Sequence, residues 1–169
     1  MSSLEITDIE LPLSCRRFVE ICWENESFYR LFLGDIMLEK DVVVTPWHKM
    51  AAERVEKKKY ERIITSLHPL PLQLPWLPGY VHSSLLQTLE YNDTNNVLRI
   101  TEISTIRGLP LDLKPSVITE WDCIDLSPES CTCHITLRFE YEKPTWLQPM
   151  IEKNAHSELM RQYEEWKVL

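Results

Sequence analysis

The chain is poor in glycine: Gly34, Gly79 and Gly108 are the only three, and no two are close together. Dinucleotide and nucleotide phosphate loops need clustered glycines, so Rossmann and P-loop chemistry are excluded. Basic charge is also short. The 18 Lys and Arg stand against 26 Asp and Glu, a net charge of −8 with a pI near 5.2. Such a balance argues against a nucleic-acid partner, because phosphate neutralisation needs a basic face. It also argues against strong electrostatic attachment to anionic lipid, while leaving a local basic patch open. The longest stretch without Lys, Arg, Asp or Glu runs from Ile63 to Leu89, but Pro69, Pro71, Pro75 and Pro78 break it. A membrane-spanning helix is therefore not expected. The start, Met1-Ser2-Ser3-Leu4-Glu5-Ile6, lacks the basic and apolar regions of a signal peptide. Five irregularly spaced cysteines suit a reducing compartment better than a disulfide framework, so a soluble, cytoplasmic protein is expected.

What remains is ordinary globular composition. Hydrophobic residues make up 44% of the 169 and charged ones 26%, which excludes wholesale disorder and fits one domain over residues 1–169. Leu4 to Leu11 reads as a first strand, and Pro12 and Ser14 open a helix over Cys15 to Trp23. Asn25 and Ser27 offer caps for a second short helix, Phe28 to Leu33, ended by Gly34. Valine-rich Asp41 to Trp47 follows. The segment Ala51 to Leu67 reads as a strand ending at Ile63 and Ile64, its lysine run solvated at a sheet edge or rim.

Two hairpins come next: Val81–Tyr91 with Val97–Ile106 around Asn92 to Asn96, and Val117–Asp125 with Cys131–Tyr141 around Pro128. The second alternates cleanly. Val117, Thr119, Trp121 and Cys123 share one face, as do Cys131, Cys133, Ile135, Leu137, Phe139 and Tyr141. Thr145 to Leu169 reads as a long helix, with Leu147, Ile151, Ala155, Leu159, Tyr163 and Trp166 recurring every three or four residues and Pro149 in the first turn.

A sheet with one apolar face must cover it, and the terminal helix is the large cover available. The predicted fold class is α+β. Its architecture is a helix grip: a curved antiparallel sheet wrapped around a long C-terminal helix, with two short helices after the first strand. A cavity between sheet and helix is the geometric expectation.

Several segments carry a family resemblance. They are Trp47 ahead of the charged strand with Tyr60, the hairpin from Leu85-Leu86-Gln87-Thr88-Leu89-Glu90 to Ile100, and Gly108-Leu109-Pro110. The Trp121 strand, Ile135 to Tyr141, and the junction from Lys143 through Trp146 to Ile151-Glu152-Lys153 complete the set. On these the chain resembles the VASt domain, a branch of the StART-like lipid-binding superfamily. The resemblance implies a module on the cytosolic face of membranes, including organelle contact sites, that encloses one sterol or related lipid and transfers or senses it. It carries over no catalytic signature and implies no cofactor. Family members usually sit beside a GRAM domain and a membrane anchor, so the chain reads as an excised domain or a stand-alone relative.

The segment His68 to Tyr80 is unusual for a loop, offering four leucines and a tryptophan on a proline-stiffened backbone. By resemblance it takes the position of the pocket lid. Leu74, Trp76 and Leu77 would close over a lipid and touch a membrane transiently; the alternative is a loop that seals the core permanently. Trp121, Leu137 and Phe139, with Met150 and Asn154 from the helix, are the expected apolar wall. Gln87, Thr101 and Thr119 are the polar candidates for orienting a ligand hydroxyl. Cys131-Thr132-Cys133-His134 does not readily converge on one metal ion, because His134 projects away from the two cysteines. Buried thiols are expected, with a Cys123–Cys133 disulfide or a metal as alternatives. His48, His68, His82, His134 and His156 are scattered and form no recognisable constellation with a nucleophile or acid, so no enzyme is expected. The competing reading is a helix-grip module with a filled core that docks a protein partner through the Pro/Leu/Trp loop.

Overall fold

A computed structural model describes residues 2–51, 55–70 and 74–167, with the backbone alone over residues 2–7. Residues 52–54 of the expected charged strand, 71–73 of the proline-rich loop and 168–169 of the tail lie outside them. The elements are β1 (Ser2–Leu11), α1 (Cys15–Phe18), α2 (Glu26–Leu31), β2 (Lys40–Val44), β3 (His48–Lys49), β4 (Lys57–Pro69), β5 (Tyr80–Asn92), β6 (Val97–Arg107), β7 (Ser116–Ser127), β8 (Ser130–Glu140) and α3 (Gln148–Trp166). They form one curved eight-stranded sheet in the order β1-β8-β7-β6-β5-β4-β2, with β3 also on β4, every pair antiparallel.

Local chemistry accounts for the helices that follow β1. Ser14 caps α1 by accepting from Arg17 N, and Asn25 caps α2 by accepting from Phe28 N. Both helices run on into a wide π turn, Val19–Glu24 and Phe32–Ile36. Gly34 therefore does not end the second helix. Phe32, Leu33 and Met37 are all buried, and seating them carries the coil through Gly34. The left-handed residue comes later, at Leu38 (φ 60°), where Glu39 N donates to Leu33 O.

The strand expected to stop at Ile64 continues to Pro69. Leu67 and His68 still find partners in His82 and Val81, and pairing with β2 ends at Leu67, so Pro69 meets a neighbour only on the β5 side. The proline-rich connection is correspondingly shorter, pinned at its base by Leu70 N donating to Gly79 O. Cys123 faces Cys133 directly in the β7–β8 register, and the two form a disulfide, a correction to the expectation of free thiols there. Cys15, Cys22 and Cys131 are buried free thiols.

The interior divides into two apolar clusters. The larger is aromatic: Phe18, Trp23, Tyr29, Phe32, Trp121 and Trp166 lie edge-on or tilted with neighbouring centroids 5.0–6.2 Å apart. The short N-terminal helices thus share the covering role with α3, which anchors its C-terminal end through Trp166. The smaller cluster, Val81, Leu109, Leu113 and Leu147 with Leu70, Ile106, Met150 and Ile151 against it, closes the opposite end. Residues from both clusters border the space between them.

Candidate functional site

That space is a cavity of about 180 Å³, measured as the volume open to the centres of water-sized spheres. In the same measure one water needs roughly 10–15 Å³, so the interior is far from solidly packed. The strand register orders the inward residues of the sheet in rows, and some residues of each row form the cavity wall. One row crosses β4 to β8 as Arg62, Gln87, Glu102, Thr119 and Leu137. The next, toward the smaller cluster, is Ile64, Leu85, Ser104, Val117 and Phe139; then come Ser66, Ser83 and Ile106, and finally His68 and Val81. α3 supplies the facing wall with Met150, Ile151, Asn154, Ala155, Glu158, Leu159 and Gln162.

Glu102 is the chemical centre of the deepest row. Its carboxyl takes hydrogen bonds from Gln87 Nε2 (2.8 Å), Trp121 Nε1 (3.3 Å) and Tyr29 Oη (3.5 Å). Burial holds it above the usual carboxylate range even though these donors pull the other way, which favours the neutral acid. Gln87 is oriented in turn by Arg62, whose Nε donates to Gln87 Oε1 at 2.7 Å. Arg62 is itself buried, its guanidinium between the rings of Trp47 and Tyr29 at 4.2 and 4.6 Å. Arg62, Gln87 and Glu102 are thus linked in series.

A second polar group closes the seam between the sheet and α3. His68 on β4 contacts Glu39, just before β2, through Nδ1 (2.7 Å), and Glu158 on α3 through Nε2 (3.1 Å); Ser66 Oγ donates to Glu39 as well. Burial alone would lower the imidazole pKa, but the two carboxylates outweigh it and push it up to about 10. His68 is therefore a cation at neutral pH, with both ring nitrogens engaged as donors. All four residues border the cavity.

Of the residues expected from sequence, Leu77, Thr119, Leu137, Met150 and Asn154 line the cavity. The other six do not. Gln87 is buried one layer behind, its amide spent on Glu102 and Tyr29. Trp121 is taken up by the aromatic cluster, and Phe139 is buried in the same core. Thr101 sits on the opposite face of β6, since Glu102 beside it points inward. Leu74 is half-buried outside the lining, and Trp76 lies outside it too, 48% exposed and packed on Trp146, with ring centroids 5.6 Å apart.

Sequence reasoning missed Glu102, Glu39, His68, Glu158 and Gln162. For Glu102 a signal was present: the inward positions of β6 read Leu98, Ile100, Glu102, Ser104, Ile106, an acid interrupting an apolar alternation. For the His68 group there was none, because its members come from three elements that only the fold brings together.

Solved structures share the fold. Norcoclaurine synthase from Thalictrum flavum, in complex with dopamine and hydroxybenzaldehyde, aligns at 11% identity over 98% of this chain and 85% of that one, with a TM-score of 0.52. A point mutant of the same enzyme with a transition-state analogue gives 0.53 at 11% identity, over 98% of this chain and 92% of that one. A search of curated protein sequences finds no match. Among the described residues no helix is long and apolar enough to cross a membrane. The family model described as the VAD1 Analog of StAR-related lipid transfer domain matches residues 5–158, a description that suggests lipid binding, and the chain belongs to the VASt family.

Proposed function

We propose that the chain encloses one sterol-like lipid between sheet and α3 and transfers it at membranes without chemical change. The observation that carries this reading is the cavity of about 180 Å³ with aliphatic walls and a few fixed polar groups. Removing apolar ligand surface from water supplies the affinity, roughly 25 cal/mol per Å², and groups such as Glu102 orient a hydroxyl. The loop over residues 70–79 supports the exchange step. Leu70 and Leu77 border the cavity, while Trp76 and Trp146 form an exposed aromatic pair outside it, Trp146 at 66% exposure. Tryptophans so placed favour the bilayer interface, where a ligand would enter or leave. His68, with its ring nitrogens held by Glu39 and Glu158, ties the sheet to α3 beside that cavity. Transfer of a fluorescent sterol between two liposome populations tests the reading. Saturable transfer by the protein supports it; uptake no greater than with the heat-unfolded protein contradicts it.

A further inference from the structure

The five cysteines of the chain, scattered in sequence, gather where α1 meets the β7–β8 hairpin. Cys123, Cys131 and Cys133 lie on the inner face of that hairpin, Cys123 and Cys133 joined as a disulfide and Cys131 at the next inward position along β8. Cys15, the first residue of α1, sits against them. Its backbone N–H donates to Asp125 Oδ1 at 2.6 Å, and Asp125 is the residue directly opposite Cys131 in the strand register. The Cys15 thiol in turn donates a hydrogen bond to the Cys131 sulfur. Cys22, in the π turn after α1, is near enough to feel the charge of Cys131. All five are at most 1% exposed. Among the described residues no cluster of His, Cys, Asp or Glu is arranged to hold a metal ion.

Two free thiols in hydrogen-bond contact differ in role. The bond from Cys15 lowers the pKa of Cys131 against the opposing effect of burial, and it raises that of Cys15. Cys131 therefore has the greater thiolate character and is the sulfur that reacts first, with Cys15 placed to resolve it. Burial limits the oxidant to a small one.

We infer that Cys15 and Cys131 form a dithiol site oxidised by hydrogen peroxide, whose product is a disulfide between α1 and β8. The Cys131 sulfur attacks one peroxide oxygen and the O–O bond breaks. The departing hydroxide takes the Cys131 proton as water and leaves a sulfenic acid. The Cys15 sulfur then attacks the Cys131 sulfur, the S–O bond breaks, and hydroxide leaves with the Cys15 proton as a second water. Two thiols are oxidised and one peroxide is reduced; a thiol reductant reverses the change. The bond fixes α1 over the aromatic cluster, where Phe18 meets Trp23, Trp121 and Trp166. Nothing in this inference depends on the ligand of the cavity.

The folded protein is treated with hydrogen peroxide beside a free-thiol peptide as internal standard, unfolded in an alkylating agent, digested without reduction and mapped by mass spectrometry. The expected result is a cross-linked peptide pair containing Cys15 and Cys131, with Cys22 alkylated. The oxidised protein melts on the order of 10 °C higher than the untreated one, because the new bond closes a loop spanning most of the chain. Cys22→Ser forms the same cross-link. Cys15→Ser does not, and its Cys131 sulfenic acid is captured by dimedone on unfolding. Cys15 and Cys131 both alkylated after the peptide standard has oxidised, or Cys131 joined to Cys22 instead, would overturn the assignment.

Discussion

The His68 group makes a pH-dependent contribution whose sign is fixed. An imidazole with a folded pKa of about 10, against an ordinary value of 6.5, binds more protons in the native state than in the unfolded state between those limits. Stability from this source is complete below pH 6.5 and is lost as pH rises toward 10, with a slope of about −1.4 kcal/mol per pH unit. His68 and Glu39 are 13% and 8% exposed but Glu158 is 27% exposed, so solvent screens part of the interaction. The loss across the window is about 3–5 kcal/mol. Buried Cys15 and Cys22, whose thiol pKa values burial and neighbouring groups raise, also weaken the fold at high pH. Comparison with a His68→Gln variant cancels that background. Urea unfolding followed by tryptophan fluorescence from pH 6 to 10 is the assay. The wild type should exceed the variant most at pH 6, and the gap should shrink steadily and close near pH 10. A gap that stays constant with pH would refute the charged clip.

Other substitutions probe separate parts of the account. Trp166→Ala removes the ring that meets Phe18, Trp23, Phe32 and Trp121 and should cost about 3–5 kcal/mol in urea unfolding. Glu102→Gln removes a carboxyl whose folded pKa is raised by burial, so the variant should gain stability relative to wild type as pH rises from 4 to 7. A relative loss over that interval would show an ionised Glu102. Trp76→Ala with Trp146→Ala should weaken liposome association about tenfold without altering sterol affinity in detergent-free solution.

Much of the fold was legible because strand alternation and helical spacing are local signals. Cys131 to Phe139 alternates faces without a break, and Pro149 falls in the first turn of α3 as its chemistry requires. Boundaries were less legible where packing overrides local preference, as at Gly34, which the buried Phe32 and Leu33 carry inside a π turn. The site was half legible for the same reason. Leu137 and Met150 follow from apolar periodicity, whereas the choice between Trp121 as wall and Trp121 as core depended on where Phe18, Trp23 and Trp166 arrive from distant parts of the chain. Thr101 was assigned one residue away from the inward position, and on a strand one residue reverses the face.

The central claim is an open interior that holds one lipid, and native mass spectrometry of the protein after incubation with sterol-containing liposomes tests it most directly. Ser104 borders the cavity on β6, and Ser104→Phe projects a ring into the space without disturbing either apolar cluster. The account predicts one sterol adduct per wild-type chain and none on a folded Ser104→Phe variant. An unliganded wild type, or equal loading of the blocked variant, would contradict it.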